Sequence, residues 1–432
     1  MAQATAAEPS RRYVRLAARA LSWLAVIAAL LWAVRLVVLE GYIYEIPNNF
    51  LGDFTRTASL GAPTWFDGNN LFYGPIFVFE YKFLFDPHIL TAAGFARLDF
   101  VLFGIAFVCC WLAFVGPRRP RLALLVLAAW LGHHMSVEAF ANTAHLEVLE
   151  LALLSVALLL AVRGYQPMAG GALGLAIATK TLPGVFLPYL AITRQWRFLI
   201  GAVLTAGVPF LAVCWMLRIT PWDGALQLIY QGGNLTKLDY TEYEYGPRAE
   251  IARFLAGDGG SLSAAQAQLA VTLHLMLALA VTLFAAGVLA RARLVGTGYG
   301  LMFGLISVVM LVASPSVHAP YYIFLLPGWT AALAELLHRP LSRRTGALWA
   351  ALLMAYVLTG FDQPFFLMQR VLGFGMVVPQ HWYAWHLPDI GLLLTLATDT
   401  LLLLSPAPLP AADNAPLVAP RLAGNRRRWR WA

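Results

Sequence analysis

Three places in the 432-residue sequence combine residue types that could handle a proton or a phosphate. The first is Gly52-Asp53-Phe54-Thr55-Arg56, just beyond a long apolar run. A carboxylate partly shielded by aromatics is suited to accept a proton from a hydroxyl. Arg56 shares a helical face with Asp53 if the segment is helical. A solvated aspartate capping a helix is the competing reading. The second is Lys180, within Ala178-Thr179-Lys180-Thr181-Leu182-Pro183 between two short apolar stretches. Carrying a lysine to membrane depth costs about 2.5–3.5 kcal/mol on insertion scales, which an anionic phosphate would offset. A snorkelling lysine, or one bonded to carbonyls freed at Pro183, competes with that reading. The third is Ser314-Pro315-Ser316-Val317-His318-Ala319-Pro320-Tyr321-Tyr322. His318 can donate to a phosphate or share a proton with Asp53. Two prolines and two tyrosines around one histidine also suit an ordinary interfacial turn.

A looser polar group comprises His133, His134, Glu138, His145, Glu147 and Glu150. His134 and Glu138 stand four apart, so a metal site is conceivable. The set follows no familiar ligand pattern, and polar groups lining a wet cavity are the better reading. The aromatic sets Trp65/Phe66, Tyr240/Tyr243/Tyr245 and Trp382/Tyr383/Trp385 read first as an interfacial belt and second as sugar-stacking surfaces. The Gly170–Gly174 and Gly300–Gly304 spacings read as helix-packing contacts. Cys109, Cys110 and Cys214 lie in apolar runs and read as small core residues. Metalloprotease, hydrolase and nucleotide-binding motifs (HExxH, GxSxG, the P-loop, GxGxxG) are absent from the sequence.

The frame for these residues has to be a bilayer. Hydrophobic residues make up 60% of the chain and charged residues 12%, about half the share in a soluble domain. The mean hydropathy is +0.69. Soluble enzymes, coiled coils and disordered chains are thereby disfavoured. Arg11, Arg12, Arg15 and Arg19 precede an apolar run near 20–39 that is too long for a signal-peptide core and lacks a cleavage site. It reads as an uncleaved first transmembrane helix. Further spanning runs fall near 95–116, 121–137, 146–163, 196–217, 268–290, 298–314, 319–337, 346–361 and 388–405, with shorter ones near 71–86, 167–181 and 183–193.

Most of the basic residues cluster between these runs, around Arg118/Arg119/Arg121, Arg163, Arg194/Arg197, Arg291/Arg293, Arg339/Arg343/Arg344 and the tail from Arg421. Those segments hold few acids and read as the cytoplasmic side. Parity then makes 71–86 an interfacial or re-entrant segment and turns 167–193 into two short helices broken at Pro183, with Lys180 near the break. The expected architecture is an all-α polytopic membrane protein with about twelve transmembrane helices, two of them short. Residues 1–405 form the membrane domain, with outer segments 40–94, 218–267, 314–320 and 361–388. Residues 406–432 form a Pro/Ala-rich basic cytoplasmic tail suited to anionic lipid. Three lysines among 30 basic residues suggest a high-GC bacterial genome, hence a bacterial inner membrane.

Taken together these segments resemble family 87 glycosyltransferases of the GT-C class. Asp53-Phe54 follows the first helix, and Tyr73-Gly74-Pro75 resembles the family's YPP segment. The stretch GALGLAIATKTLPGVFLPYLAITRQWR, residues 171–197, is similar to the family's GLAxAxKxxPxxFLPYLLxRRRWR region. SPSVHAPYYIFLLPG, from residue 314, resembles its SPxxWxHxxxxLLP turn, although Pro320 stands where the family's histidine falls and His318 two positions earlier.

The resemblance implies a GT-C bundle that passes a sugar from a polyprenyl-phosphate donor to a lipid or polysaccharide acceptor on the outer face. It implies mannosyl or arabinofuranosyl transfer with inversion, Asp53 as general base and Lys180 near the donor phosphate. Arg56, Arg248 and His318 would help neutralise the phosphate. Glu80, His145, Tyr321 and Tyr322 are candidate acceptor or cavity residues. No cofactor is expected; metal-independent transfer is favoured, with room left for a divalent metal. Membrane lipids are the surroundings, and no nucleic-acid partner is expected. The rival classes are a transporter or flippase for a lipid-linked sugar, and a polymerase or ligase of lipid-linked saccharide. No internal repeat supports the first, and the 218–267 segment lacks the histidine the second would use.

Overall fold

A computed structural model describes residues 92–116, 120–133, 136, 139, 146–232, 246–257, 261–360 and 387–405, together with four positions of the first apolar run. Asp53, Arg56, Glu80 and His145 lie outside the described residues, as do the 71–86 segment, the loop aromatics and the tail.

Every regular element in the described part is helical. Helix α1, Ala92–Cys110, runs on through a π-turn at Trp111–Val115. Gly116 ends it at φ 75°, with its N–H on the Trp111 carbonyl at 2.8 Å. Then come α2 (Pro120–Gly132), α3 (Glu147–Val162) and α4 (Gln166–Thr179). A 3₁₀ turn at Leu182–Val185 leads into α5 (Phe186–Ile192). Next are α6 (Trp196–Leu217), α7 (Pro221–Gly232) and α8 (Pro247–Ala256). Ser263 and Gln266 close a reciprocal cap that starts α9 (Ala264–Leu289). After α10 (Thr297–Ala313), a 3₁₀ segment at Ala319–Leu325 precedes α11 (Leu326–Leu337). Helices α12 (Arg343–Gly360) and α13 (Leu387–Leu404) complete the set.

Among the described residues four helical stretches are long and apolar enough to cross a bilayer: Arg97–Val115, Trp196–Met216, Ala264–Leu289 and Leu387–Leu404. Shorter apolar helices cover other expected crossings. Two elements differ from unbroken runs. The expected break in 167–193 is present and falls at Lys180 itself, whose backbone is extended at φ −147°, ψ 136°. Pro183 has no N–H to continue the ladder, so the chain restarts as a 3₁₀ turn. The apolar run 319–337 is also divided. Pro320 and Pro327 each open a first turn, which suits two starts rather than one helix.

The glycine spacings act as packing contacts. A Cβ on Gly174 of α4 would lie 2.7 Å from Thr205 Cβ of α6, and one on Gly304 of α10 would lie 2.9 Å from Gly328 Cα of α11. Such approach is what lets apolar helices pack without bulky side chains between them. The fully buried Asp399 of α13 sits against that second crossing. Trp130 packs edge-on to Phe103 at 5.5 Å and donates to Thr330 Oγ1 at 2.9 Å, joining α1, α2 and α11. All three cysteines are buried and free, as read from their apolar runs.

The helix ends divide into two groups. At one end, the starts of α4, α6 and α10 meet through Gln166, Gln195 and Tyr299, with Gln166 Nε2 donating to Tyr299 Oη at 3.0 Å. Glu335, Thr297 and Arg339 join there, and Arg339 also donates to the Ser405 carbonyl. Arg121 lies over the Trp23 ring at 4.6 Å, which puts Trp23 beside α2. The opposite end holds the Lys180 break and the 3₁₀ segment.

Candidate active site

Lys180 is buried, yet the chain supplies it with an anion. Its Nζ lies 2.5 Å from Glu147 Oε1, in the first turn of α3. The same nitrogen stands 4.4 Å from the centroid of the Tyr321 ring. A desolvated ammonium gains from both a carboxylate and an aromatic face. Two of the sequence candidates, Lys180 and Tyr321, far apart in the chain, are thus in contact. The helix break makes this possible. The helix ends at Thr179, Lys180 is extended, and a 3₁₀ turn follows, so the lysine stands at the break itself.

Acids gather around that pair. Asp99 of α1 is buried and interacts electrostatically with Glu147. Glu150, one turn along α3, is fully buried, and it and Glu147 both act electrostatically on Tyr321. The polar group read around His133 therefore divides. His133 sits 5.2 Å by ring centroid from both Trp329 and Tyr356, while Glu147 turns to Lys180. His134 and Glu138, like His145, lie outside the described residues.

The segment 314–325 links this pair to a second buried cation. His318 is extended and caps the 3₁₀ turn, its carbonyl accepting from the Tyr321 N–H at 3.0 Å. Its ring is half-buried and 6.1 Å from the Tyr321 ring. Tyr322 is fully buried in the same turn. On the other side of the turn, Gly246 packs so close to Val317 that a Cβ there would lie 3.0 Å from Val317 Cγ2. That contact seats the start of α8, and with it Arg248, whose side chain is 1% exposed. Arg248 acts electrostatically on His274 of α9, which shares a hydrogen bond of 2.9 Å with the Val312 carbonyl.

Further along α8, Arg253 donates to Glu250 at 2.5 Å. Burial pushes the Glu250 carboxyl up to about 7, with Arg253 pulling against it. Asp389, in the first turn of α13, interacts with both. One end of the bundle thus holds Lys180 and Arg248 on two sides of a single turn, with carboxylates beside Lys180 and beside Arg253 of the Arg248 helix. Buried cations held at one turn are suited to an anionic group entering from the membrane interface, and they would stabilise charge that develops on a departing phosphate. Among the described residues no group of three His, Cys, Asp or Glu converges as a metal site.

Reasoning from the sequence missed Glu147 as the partner of Lys180, and missed Asp99, Glu250 and Arg253. A usable signal existed for two of them. Asp99 and Glu147 are ionisable residues in strongly apolar stretches, where a charge calls for a partner.

The comparisons with known proteins agree with this setting. The family described as Glycosyltransferase family 87 matches residues 71–315, more than half of the chain. The matched range contains Lys180, Arg248 and the start of the 314–325 segment. No curated protein and no solved structure matches the chain.

Proposed function

The chain belongs to glycosyltransferase family 87, and from that membership we propose that it transfers a sugar from a polyprenyl-phosphate donor to an acceptor hydroxyl at the outer face of a bacterial inner membrane. The observation that carries the donor half is Lys180, a buried ammonium at a helix break and inside the family match. Breaks of this kind occur in membranes where backbone lines a site.

In this reading Asp53 takes the acceptor proton as the new glycosidic bond forms, with inversion at the anomeric carbon. A positioned base contributes about 10²–10⁴-fold. The leaving group is a phosphate ester, already a weak base, so no general acid is needed. Lys180, Arg248, Arg56 and His318 neutralise the phosphate as the bond breaks. Glu80, His145, Tyr321 and Tyr322 border the acceptor side, and the GT-C bundle leaves the polyprenyl chain in lipid. Both termini and the basic tail 406–432 lie in the cytoplasm, with about twelve crossings between them.

The test is transfer by purified protein from a panel of radiolabelled polyprenyl-phosphate sugars. Release of polyprenyl phosphate together with a labelled acceptor is the expected result. Movement of intact donor between leaflets with no bond broken would make the protein a transporter. Asp53→Asn should keep donor binding and lose at least about 100-fold in transfer rate. A variant at near wild-type rate, alongside an inactive Glu80→Gln, would move the base to Glu80. Cysteines placed at 60, 240 and 375 should be labelled from outside and those at 118 and 342 should not.

A further inference from the structure

Helix α13, one of the stretches long and apolar enough to cross a bilayer, carries an acid in its later half. Asp399 is 0% exposed, and neither of its carboxyl oxygens has a hydrogen-bond partner. Two glycines show where it points. A Cβ on Gly304 of α10 would collide with Asp399 Oδ2, and one on Gly328 of α11 would lie 3.6 Å from the same oxygen. The carboxyl is thus aimed into the crossing of α10 and α11. One turn back on the same face, Thr395 accepts from Trp329 Nε1 at 3.1 Å, so adjacent residues of α11 seat both positions.

Helices α9, α10, α11 and α12 all pack on α13, and their ionisable groups are engaged elsewhere. From α9 comes His274, bonded to the Val312 carbonyl, and from α10 Tyr299, bonded to Gln166. From α11 comes Glu335, paired with Arg339, with His338 bonded to the Ala334 carbonyl at its end. From α12 come Tyr356, which donates to the Ala129 carbonyl, Arg344, which donates to Ser405 Oγ, and the exposed Arg343. Helix α13 itself adds Asp389, in its first turn. Among the described residues no charged group acts on Asp399. A carboxylate at that depth, with neither cation nor donor, costs far more than one that has taken up a proton. The crossing also keeps a bulkier counter-ion from the Oδ2 side, since even a methyl carbon on Gly304 would meet both that oxygen and Gly328 Cα.

We propose that Asp399 is a proton-binding site inside the membrane domain, and that its proton lets α13 close on the crossing of α10 and α11. The proton comes from bulk solvent as the helices pack and stays on the carboxyl at neutral pH. No other bond is made or broken. Losing it would leave a bare anion against glycine backbone, a cost that α13 relieves by moving off the crossing and admitting water. Helices α10 and α11 carry between them the 314–325 segment, with Tyr321 beside Lys180. The proton therefore holds the frame of the candidate site without entering it, whatever the reaction there.

The test is infrared difference spectroscopy of the full-length protein in detergent at pH 7, wild type minus Asp399→Asn and wild type minus Asp399→Leu. Every other carboxyl is common to the pairs and cancels. The expected signal is the carbonyl stretch of one protonated carboxylic acid. Carboxylate bands in its place overturn the proposal. Failure of both variants to fold also overturns it, because a neutral acid tolerates replacement by an uncharged side chain of similar size. Hydrogen exchange of the α13 amides nearest Asp399 tests the closure. Corrected for the intrinsic rate, exchange in wild type should rise with pH about tenfold per unit more steeply than in Asp399→Asn, since opening releases one proton. Equal pH dependence in the two proteins overturns the closure on Asp399.

Discussion

At one end of the bundle the Lys180–Glu147 pair is enclosed by further acids and an aromatic ring, and the cation's bonds lead into the 314–325 turn. At the other end Arg339 pairs with Glu335 at 3.0 Å, and the pair also bonds neutral groups. Thr297 donates to Glu335 Oε2 at 2.7 Å, Arg339 reaches the Leu402 and Ser405 carbonyls, and Arg344 donates to Ser405 Oγ at 3.0 Å. Both cations are comparably buried, with side-chain exposures of 9% and 11%. Their surroundings differ instead. Besides its carboxylate, the arginine donates to the Leu402 and Ser405 carbonyls at the end of α13, which suits a brace. The lysine has a carboxylate and an aromatic ring beside it, and it is the residue proposed for the donor phosphate.

The largest effect expected from this contrast is at Lys180. Removing one partner of a buried pair costs about 3–5 kcal/mol, because the other charge is stranded. Lys180→Ala should lower the thermal midpoint in detergent accordingly and abolish binding of a polyprenyl-phosphate sugar. Adding Glu147→Gln should restore most of the stability and none of the binding. Recovery of both, or of neither, would make the pair a brace like that at Arg339.

A smaller effect separates Glu250 from both. Its carboxyl titrates at about 7 in the fold against an ordinary 4.5, raised by burial and opposed by Arg253. Between those values the folded chain holds a proton that the unfolded chain has released. Stability should therefore fall as pH rises from about 4.5 to 7, by at most about 3 kcal/mol, and level off above. Glu250→Gln should remove that slope. Unfolding midpoints measured across this range decide it. An equal slope in the variant would assign the titration to another group.

The sequence showed a break near Lys180, because a lysine and a proline interrupt an apolar run; it placed the break at Pro183, and the helix gives way earlier, at Lys180. It also showed the glycine crossings, since a four-residue spacing of small residues is a packing signal whatever the partner helix. The division of 319–337 was less legible: Pro320 and Pro327 are each compatible with a helix start, and hydropathy sees one continuous run. The partner of Lys180 was not legible. Glu147 and Glu150 share a helical face, Asp99 of α1 is buried near them, and the packing of α1, α3 and α4 decides which acid reaches the lysine. Arg248 was legible as a basic residue of the 218–267 segment. Its burial was not, since the start of its helix is seated by Gly246 meeting Val317, which is distant in the chain.

The smallest effect tests the brace itself. Thr297 Oγ1 donates to Glu335 Oε2, while Arg339 holds Oε1 of the same carboxylate. Thr297→Val keeps the shape and removes the hydroxyl. Glu335 then keeps its cation and loses one neutral hydrogen bond, so the cost should be about 0.5–1.5 kcal/mol. Because Thr297 opens α10 at the end opposite the 314–325 turn, binding of a polyprenyl-phosphate sugar should match wild type. The paired measurements are the unfolding midpoint and that binding. A loss of binding in this variant would mean that the two ends are coupled through α10, which runs from Thr297 to the turn beneath Tyr321. The contrast between brace and site would then give way to a single charge network spanning the bundle.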